Sequence, residues 1–411
     1  MLEKQELTAD SSYRQLKIED IRNIAQGACF LASGGGGSLQ LALTKIIPNF
    51  FDTQTKIRLV TLDALTLKSD WGAVVAGMGS PLTLFNNPTL VKTAIPAYEE
   101  LAKLCFGFKA AEQDRYKSLE RMNFCLPVEI GAVYSLVPMS VAQGSLSNKS
   151  QPVTISVVDA DGAGRAVPTL PLTTYARQIN LYPNILGGKN ETEPGGDFDY
   201  SSLNVQDETT LETAFLGLID SKAFGLVSGL AIYAANGPKF QSCQPVRNSL
   251  SDALQIGTII NQKTGEERLK SLLSYITSTM GRVAKQAFYG QITYMEQATE
   301  GLDTGVVQIT GAGPFKGEFL TIFIENENIW SQKTKTPDRQ AHPENAWIMG
   351  PDSMNYLTDE GHVFDNSDLW NIYQWQLYQN QGGPMVRIVA VQAAEEVLKN
   401  PQLMAAWTQE I

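Results

Sequence analysis

Histidine is nearly absent from this chain: His342 and His362 are the only two in 411 residues. Counting alone excludes a zinc site built mainly on imidazoles. A Ser-His-Asp or Cys-His arrangement would have to use one of these two. Both stand in polar, turn-rich text, "DRQAHPENAW" and "TDEGHVFDN", where a solvated loop histidine is the plainer reading. Acid–base chemistry in such a chain falls to carboxylates, lysine or tyrosine.

Cysteine is scarce as well. Cys29, Cys105, Cys125 and Cys243 lie far apart and form no C-x-x-C pair, which reads as reduced, mostly buried thiols of a cytoplasmic protein. Basic residues are outnumbered, 32 Lys and Arg against 43 Asp and Glu, for a formal charge of −11. A field of that sign repels polyanions, so no nucleic acid and no anionic membrane is expected as a partner. Long apolar runs are missing: "GAVVAGMG" falls far short of the roughly 20 residues of a membrane span. The polar start "MLEKQELTADSSYRQLKIED" holds no apolar core of a secretory leader.

Glycine, by contrast, is concentrated. "ACFLASGGGGSLQLALTKI" sets Gly34, Gly35, Gly36 and Gly37 between two helical patterns. Ile18, Ile21, Ile24 and Ala28 recur at helical spacing before the glycines, and "SLQLALTKII" resumes after them with Ser38 placed to cap. A tetraglycine has more freedom to lose on folding than any other four residues. Two explanations balance: bare N–H groups opening a helix to hold an anion or carboxylate, or close packing of a helix end. Leu39 stands where the third glycine of G-x-G-x-x-G would be, so no nucleotide cofactor is expected.

The length fits two domains. Apolar strand text ("WGAVVAGMGSP", "NFCLPVEIGAVY", "VTISVVDADGAGRA") alternates with helical text ("TLVKTAIPAYEELAKLC"), which predicts an α/β layered domain over residues 15–180. Such sheets bind ligands beyond the carboxyl ends of their strands, here the loops "GMGSP", "VEIGA" and "DADGAGR". A second domain is expected over 181–411, helical across 205–285 and β-rich across 286–392.

Carboxylates supply the candidates. Asp159 and Asp161 stand two apart at a strand end, with Arg165 close behind. On a continuing strand the two would share one face and their like charges would raise one pKa, as a general acid and base or around a divalent metal. Arg165 could then hold a substrate carboxylate. An Asp-rich turn capping its own N–H groups, with Arg165 in a structural ion pair, is the competing explanation. Glu129, alone after a buried strand, suits a catalytic carboxylate or a helix N-terminal charge equally. In "IENENIW", Glu325 and Glu327 fall on one face of a strand with Asn326 and Asn328 on the other, the pattern of an exposed polar strand.

"IAQGACFLASGGGG", "AGMGSP", "LPVEIGA", "VDADGAGRAVP" followed by "LTTYA", "NSLSDALQIG" and "FIENEN" occur in that order. On these strings the chain resembles the domain-of-unknown-function 917 family, also called S-methyl-thiohydantoin desulfurase-like proteins, over roughly residues 16 to 395. The resemblance implies an α/β domain followed by a β-containing one, a link to hydantoin or oxoproline utilisation, and for some members hydrolytic desulfurisation of a thiohydantoin ring. Two departures stand beside the expected site. Ala132, Val133 and Tyr134 replace a further glycine-rich stretch, and Thr169 follows Pro168 where Glu is common.

The expectation is a hydrolase of a small cyclic amide or thiohydantoin-like substrate. Asp159, Asp161 and Glu129 would be catalytic, and Arg165, Gly34, Gly35, Gly36, Gly37 and Ser38 substrate-binding. A divalent metal is left open, as is a homo-oligomer or a hydantoinase-like partner. The alternative is a non-catalytic ligand-binding or accessory subunit of a hydantoinase- or oxoprolinase-like system.

Overall fold

The computed structural model describes residues 13–79, 90–106, 121–146, 154–189, 198–221, 224–225, 227–298 and 303–410. An eight-stranded mixed sheet is built from β1 (Tyr13–Leu16), β2 (Ile57–Val60), β3 (Trp71–Gly79), β4 (Met122–Pro127), β5 (Ser156–Val158), β7 (Ile185–Gly188), β8 (Asp199–Ser201) and β9 (Val227–Asn236). Its order is β1-β2-β5-β4-β3-β9-β7-β8. The four central strands β2, β5, β4 and β3 run parallel, and both flanks pair antiparallel. The central strands are buried, apolar text, as strands covered on both faces must be. Three of the strands, β7, β8 and β9, lie beyond residue 180, so the first sheet runs past the expected domain boundary. β9, "VSGLAIYAAN", is a strand inside the stretch read as helical.

β6 (Ala160–Asp161) and β10 (Val246–Arg247) form a separate two-stranded antiparallel pair. The second large sheet is seven-stranded and antiparallel, in the order β15-β14-β13-β12-β11-β17-β16. It comprises β11 (Ala284–Ala298), β12 (Thr304–Gly311), β13 (Phe319–Glu325), β14 (Glu327–Thr334), β15 (Ala346–Met349), β16 (Ser353–Leu357) and β17 (Met385–Val391). The expected α/β first part and β-rich second part are therefore both present.

Helices tie the two sheets together. α1 (Ile18–Leu31) buries Ile21, Ile24, Ala25 and Ala28, and α2 (Leu90–Phe106) and α3 (Leu136–Leu146) cover the first sheet. α4 (Glu208–Asp220), α5 (Ser249–Gln262) and α6 (Gly265–Ser278) follow, then α7 (Asn366–Tyr378) and α8 (Pro401–Glu410). α1 crosses α5 backbone to backbone: a Cβ on Gly27 would lie 1.8 Å from the Ala253 carbonyl oxygen, and one on Gly257 1.9 Å from that of Asn23. That contact docks the helix leading into the tetraglycine. Among the described residues, no helix is long and apolar enough to cross a membrane.

Candidate functional site

The tetraglycine is a turn that only glycine can make. α1 ends at Leu31, and Ser33, Gly34, Gly36 and Gly37 take φ of 54, 82, 70 and 86°, a region costly for residues with a Cβ. Ser38 returns to extended geometry, and its Oγ accepts the Leu41 N–H at 3.0 Å, capping the helical run that follows. The surroundings are as restrictive as the backbone. A Cβ on Gly34 would lie 2.7 Å from Asn366 Oδ1, and on Gly35 2.0 Å from Glu327 Oε1. On Gly36 it would lie 2.3 Å from Gly131 Cα, and on Gly37 2.7 Å from Val133 Cβ. Three segments thus meet at this turn: the loop after β4, the β13–β14 turn and the start of α7.

The Gly36 carbonyl accepts N–H groups from Val133 (3.0 Å) and Tyr134 (3.4 Å), and the Gly35 N–H donates to the Ala32 carbonyl. The N–H groups of Gly36 and Gly37 find no acceptor among the described residues, although both glycines are buried. Buried backbone donors are almost always paired, so these two adjacent N–H groups are left free to meet an acceptor.

Two glutamates stand next to it. Glu129 is 5% exposed, and its Oε2 accepts the Val167 N–H at 2.8 Å. Glu327 is 3% exposed, and its Oε2 has no partner. Burial pushes the Glu129 carboxyl well above its ordinary range, the charge of Glu327 adds to that, and the Val167 N–H and Arg165 oppose it. Burial likewise pushes Glu327 up to about 8, against the pull of Arg165. Neither carboxyl can ionise without penalising the other, so their protons belong to the pair. The Tyr134 hydroxyl is also pushed up, by burial first and then by both glutamates.

Arg165 is 1% exposed, and burial lowers it to about 10 while Glu327 and Glu129 raise it. Its Nε donates to the Ala166 carbonyl (2.9 Å), Nη1 to that of Asp352 (2.7 Å) and Nη2 to that of Asn328 (3.0 Å). The Trp407 ring covers it at 5.0 Å. The guanidinium thus binds backbone carbonyls, one from its own loop and two from the second half of the chain, and what it gives the glutamates is its charge.

The two aspartates do not act as one pair. The strand breaks at Asp159, between β5 and β6, so the shared face expected of Asp159 and Asp161 does not form. Asp159 Oδ1 accepts the N–H groups of Leu250 and Ser251, both at 3.0 Å, and Oδ2 accepts the Ser251 hydroxyl at 2.5 Å. It satisfies the first turn of α5. Asp161 Oδ2 accepts the N–H groups of Ala163 (2.9 Å) and Gly164 (2.7 Å), while its Oδ1 has no partner. Burial lifts Asp161 to about 6 against those bonds. Among the described residues, no three His, Cys, Asp or Glu side chains converge as a metal site would require.

Of the expected residues, the structure brings together Glu129, Arg165 and Gly34 to Gly37, with Ser38 at the edge. The loop after β3 lies outside the described residues from Ser80 onward. Glu327, which two-residue alternation assigns to an exposed face, joins them in the interior. Asn326 takes φ of 54° and turns the chain so sharply that Glu325 and Glu327 become partners across the β13–β14 turn. The alternation therefore does not continue through it. The signal is present in "FIENEN", where an Asn between two carboxylates marks a left-handed turn as readily as a strand.

The S-Me-THD-like N-terminal domain model matches residues 19–193, and the S-Me-THD-like C-terminal domain model matches residues 208–401. No curated protein matches the chain. Among solved structures, the crystal structure of a protein from Chromobacterium violaceum is similar at 24% identity and a TM-score of 0.72. The alignment covers 97% of this chain and 96% of that one; at such identity the likeness establishes a common fold.

Proposed function

The chain belongs to the S-Me-THD-like family over both of its domains, and from that premise we propose that it is a hydrolase of small cyclic amide or thiohydantoin-like substrates, with Glu129 and Glu327 as its acid–base pair. The observation that carries this reading is the burial of two mutually repelling carboxyls, both raised in pKa, against a turn with two unpaired N–H groups. A pair that loses its first proton as pH rises toward about 8 then offers one acid and one base at the same time.

In the reaction, the ionised member of the pair takes a proton from water as the water oxygen bonds to the ring carbon. The protonated member gives its proton to the departing sulfur or nitrogen as that C–S or C–N bond breaks. Water has then added across the bond, and the pair has exchanged which carboxyl holds its proton. The Gly36 and Gly37 N–H groups are suited to the negative charge that develops on the attacked centre. Arg165 keeps one carboxylate charge tolerable in a buried setting. Asp159 and Asp161, the first candidates for the base, keep structural duties in this reading.

The test uses Glu129→Gln and Glu327→Gln, assayed against hydantoins and S-alkyl thiohydantoins for ring opening or thiol release. Each variant should fold and lose about 100-fold or more in kcat. Full activity in both would overturn the assignment. The closed packing around Glu129, Glu327 and Arg165 favours a second reading, a ligand-binding or accessory subunit. A tight stoichiometric partner on purification, with no turnover by the isolated chain, would support that one instead.

A further inference from the structure

The glycine turn is clasped at both ends by the second half of the molecule. At its start, the Asn328 N–H donates to the Ser33 carbonyl and the Asn366 N–H to the Gly34 carbonyl, both at 2.7 Å. At its end, Ser38 Oγ donates to Asp368 Oδ1 at 2.6 Å, and Asp368 Oδ2 accepts the Gln40 N–H at 3.1 Å. Ser38 Oγ accepts the Leu41 N–H in the same arrangement. Asp368 is 6% exposed and is itself held, since its N–H donates to Asp365 Oδ1, the cap of α7, at 3.0 Å. One buried carboxylate on α7 therefore grips both the hydroxyl and the backbone that follow the glycines.

Resting on the acid–base reading above, we infer that Asp368 is a positioning residue, acting through Ser38 to aim the Gly36 and Gly37 N–H groups at the charge that forms during hydrolysis. Donors to a developing charge help only if they are already oriented when the charge appears. Gly36 and Gly37 have the least intrinsic preference of any residues for one orientation. The anchors at Ser33 and Gly34 fix one end of the turn, the Val133 and Tyr134 N–H groups hold the Gly36 carbonyl in its middle, and the Asp368–Ser38 clasp fixes the far end. Asp368 does this through the Ser38 hydroxyl and the Gln40 N–H, and nothing in the sequence pattern of α7 marks it.

The experiment compares Ser38→Ala, which removes the clasp and the cap, with Ser38→Thr, which keeps the hydroxyl, and with Asp368→Asn, which keeps one acceptor but turns a donor toward the Gln40 N–H. Amide hydrogen exchange at Gln40 and Leu41 reads the clasp independently of activity, and kinetics on a hydantoin substrate reads its consequence. In Ser38→Ala, exchange at both amides should speed up about tenfold or more, and kcat should fall about 10- to 100-fold with KM changed less than about threefold. Ser38→Thr should restore both, and Asp368→Asn should fall between. Unchanged exchange in Ser38→Ala, an unchanged kcat despite faster exchange, or failure of Ser38→Thr to restore kcat would each overturn the inference. Absence of turnover in the wild type would overturn the acid–base reading and the catalytic role drawn from it; the exchange rates would still separate that failure from a failure of the clasp.

Discussion

Two residues carry most of the argument, and their environments differ. Glu129 has a backbone N–H on one oxygen, whereas Glu327 leaves an oxygen buried without a donor, a state that an ionised carboxylate tolerates poorly. Glu327 rises from an ordinary value of 4.5 to about 8. The folded protein therefore holds a proton that the unfolded chain has released once pH exceeds the ordinary value. The stability this confers is fully present below about pH 4.5 and is lost as pH rises toward about 8. Glu327→Gln, which keeps the shape and removes the titration, should flatten the fall of melting temperature between about pH 5 and pH 8. The difference between wild type and variant is the quantity to measure, because Asp161, at about 6, also titrates in that window. Identical pH profiles for the two proteins would show that Glu327 ionises at its ordinary pKa.

At the scale of elements, the break between β5 and β6 decides what the aspartates do. The chain leaves the first sheet at Asp159, whose carboxylate closes the first turn of α5 with three hydrogen bonds. α5 in turn crosses α1 at the Gly27–Gly257 contact, and α1 delivers the glycine turn. Asp159 is thus coupled to the site through two helices without entering it. Asp159→Ala should cost about 1–3 kcal/mol, since three donors lose their acceptor in a buried setting. The variant, once folded, should keep wild-type kcat. Chemical denaturation and steady-state kinetics check the two halves, and a folded Asp159→Ala protein without turnover would return Asp159 to the reacting groups.

Over the whole molecule, the layered α/β sheet and the later β-rich sheet are legible from apolar strand runs and two-residue alternation. So is the glycine turn, with Ser38 capping the segment after it. What local text does not carry is where the sequence-distant pieces meet. "FIENEN" has the pattern of an exposed strand, but alternation describes a strand only while the backbone stays extended, and at Asn326 it does not. Strand β9 is hidden among helical text, and its place beside β3 depends on long-range pairing that no local pattern states. Asp159 and Asp161 fail as a pair for a similar reason: spacing of two implies a shared face only on an unbroken strand. Glu327, Asn328, Asn366 and Asp368 all reach the glycine turn from the second half of the chain, so the site is assembled by the fold as a whole.

The central claim is that Glu129 and Glu327 form a buried, electrostatically coupled pair of raised pKa, and infrared difference spectroscopy of their carboxyl groups tests it most directly. At neutral pH the wild type should show protonated-carboxyl intensity that each of Glu129→Gln and Glu327→Gln reduces, the remainder coming from the other glutamate and from Glu212 and Asp365, which burial also raises. That intensity should also fall as pH is raised through about 8. A spectrum of either variant identical to that of the wild type would contradict the account and remove the acid–base pair from this protein.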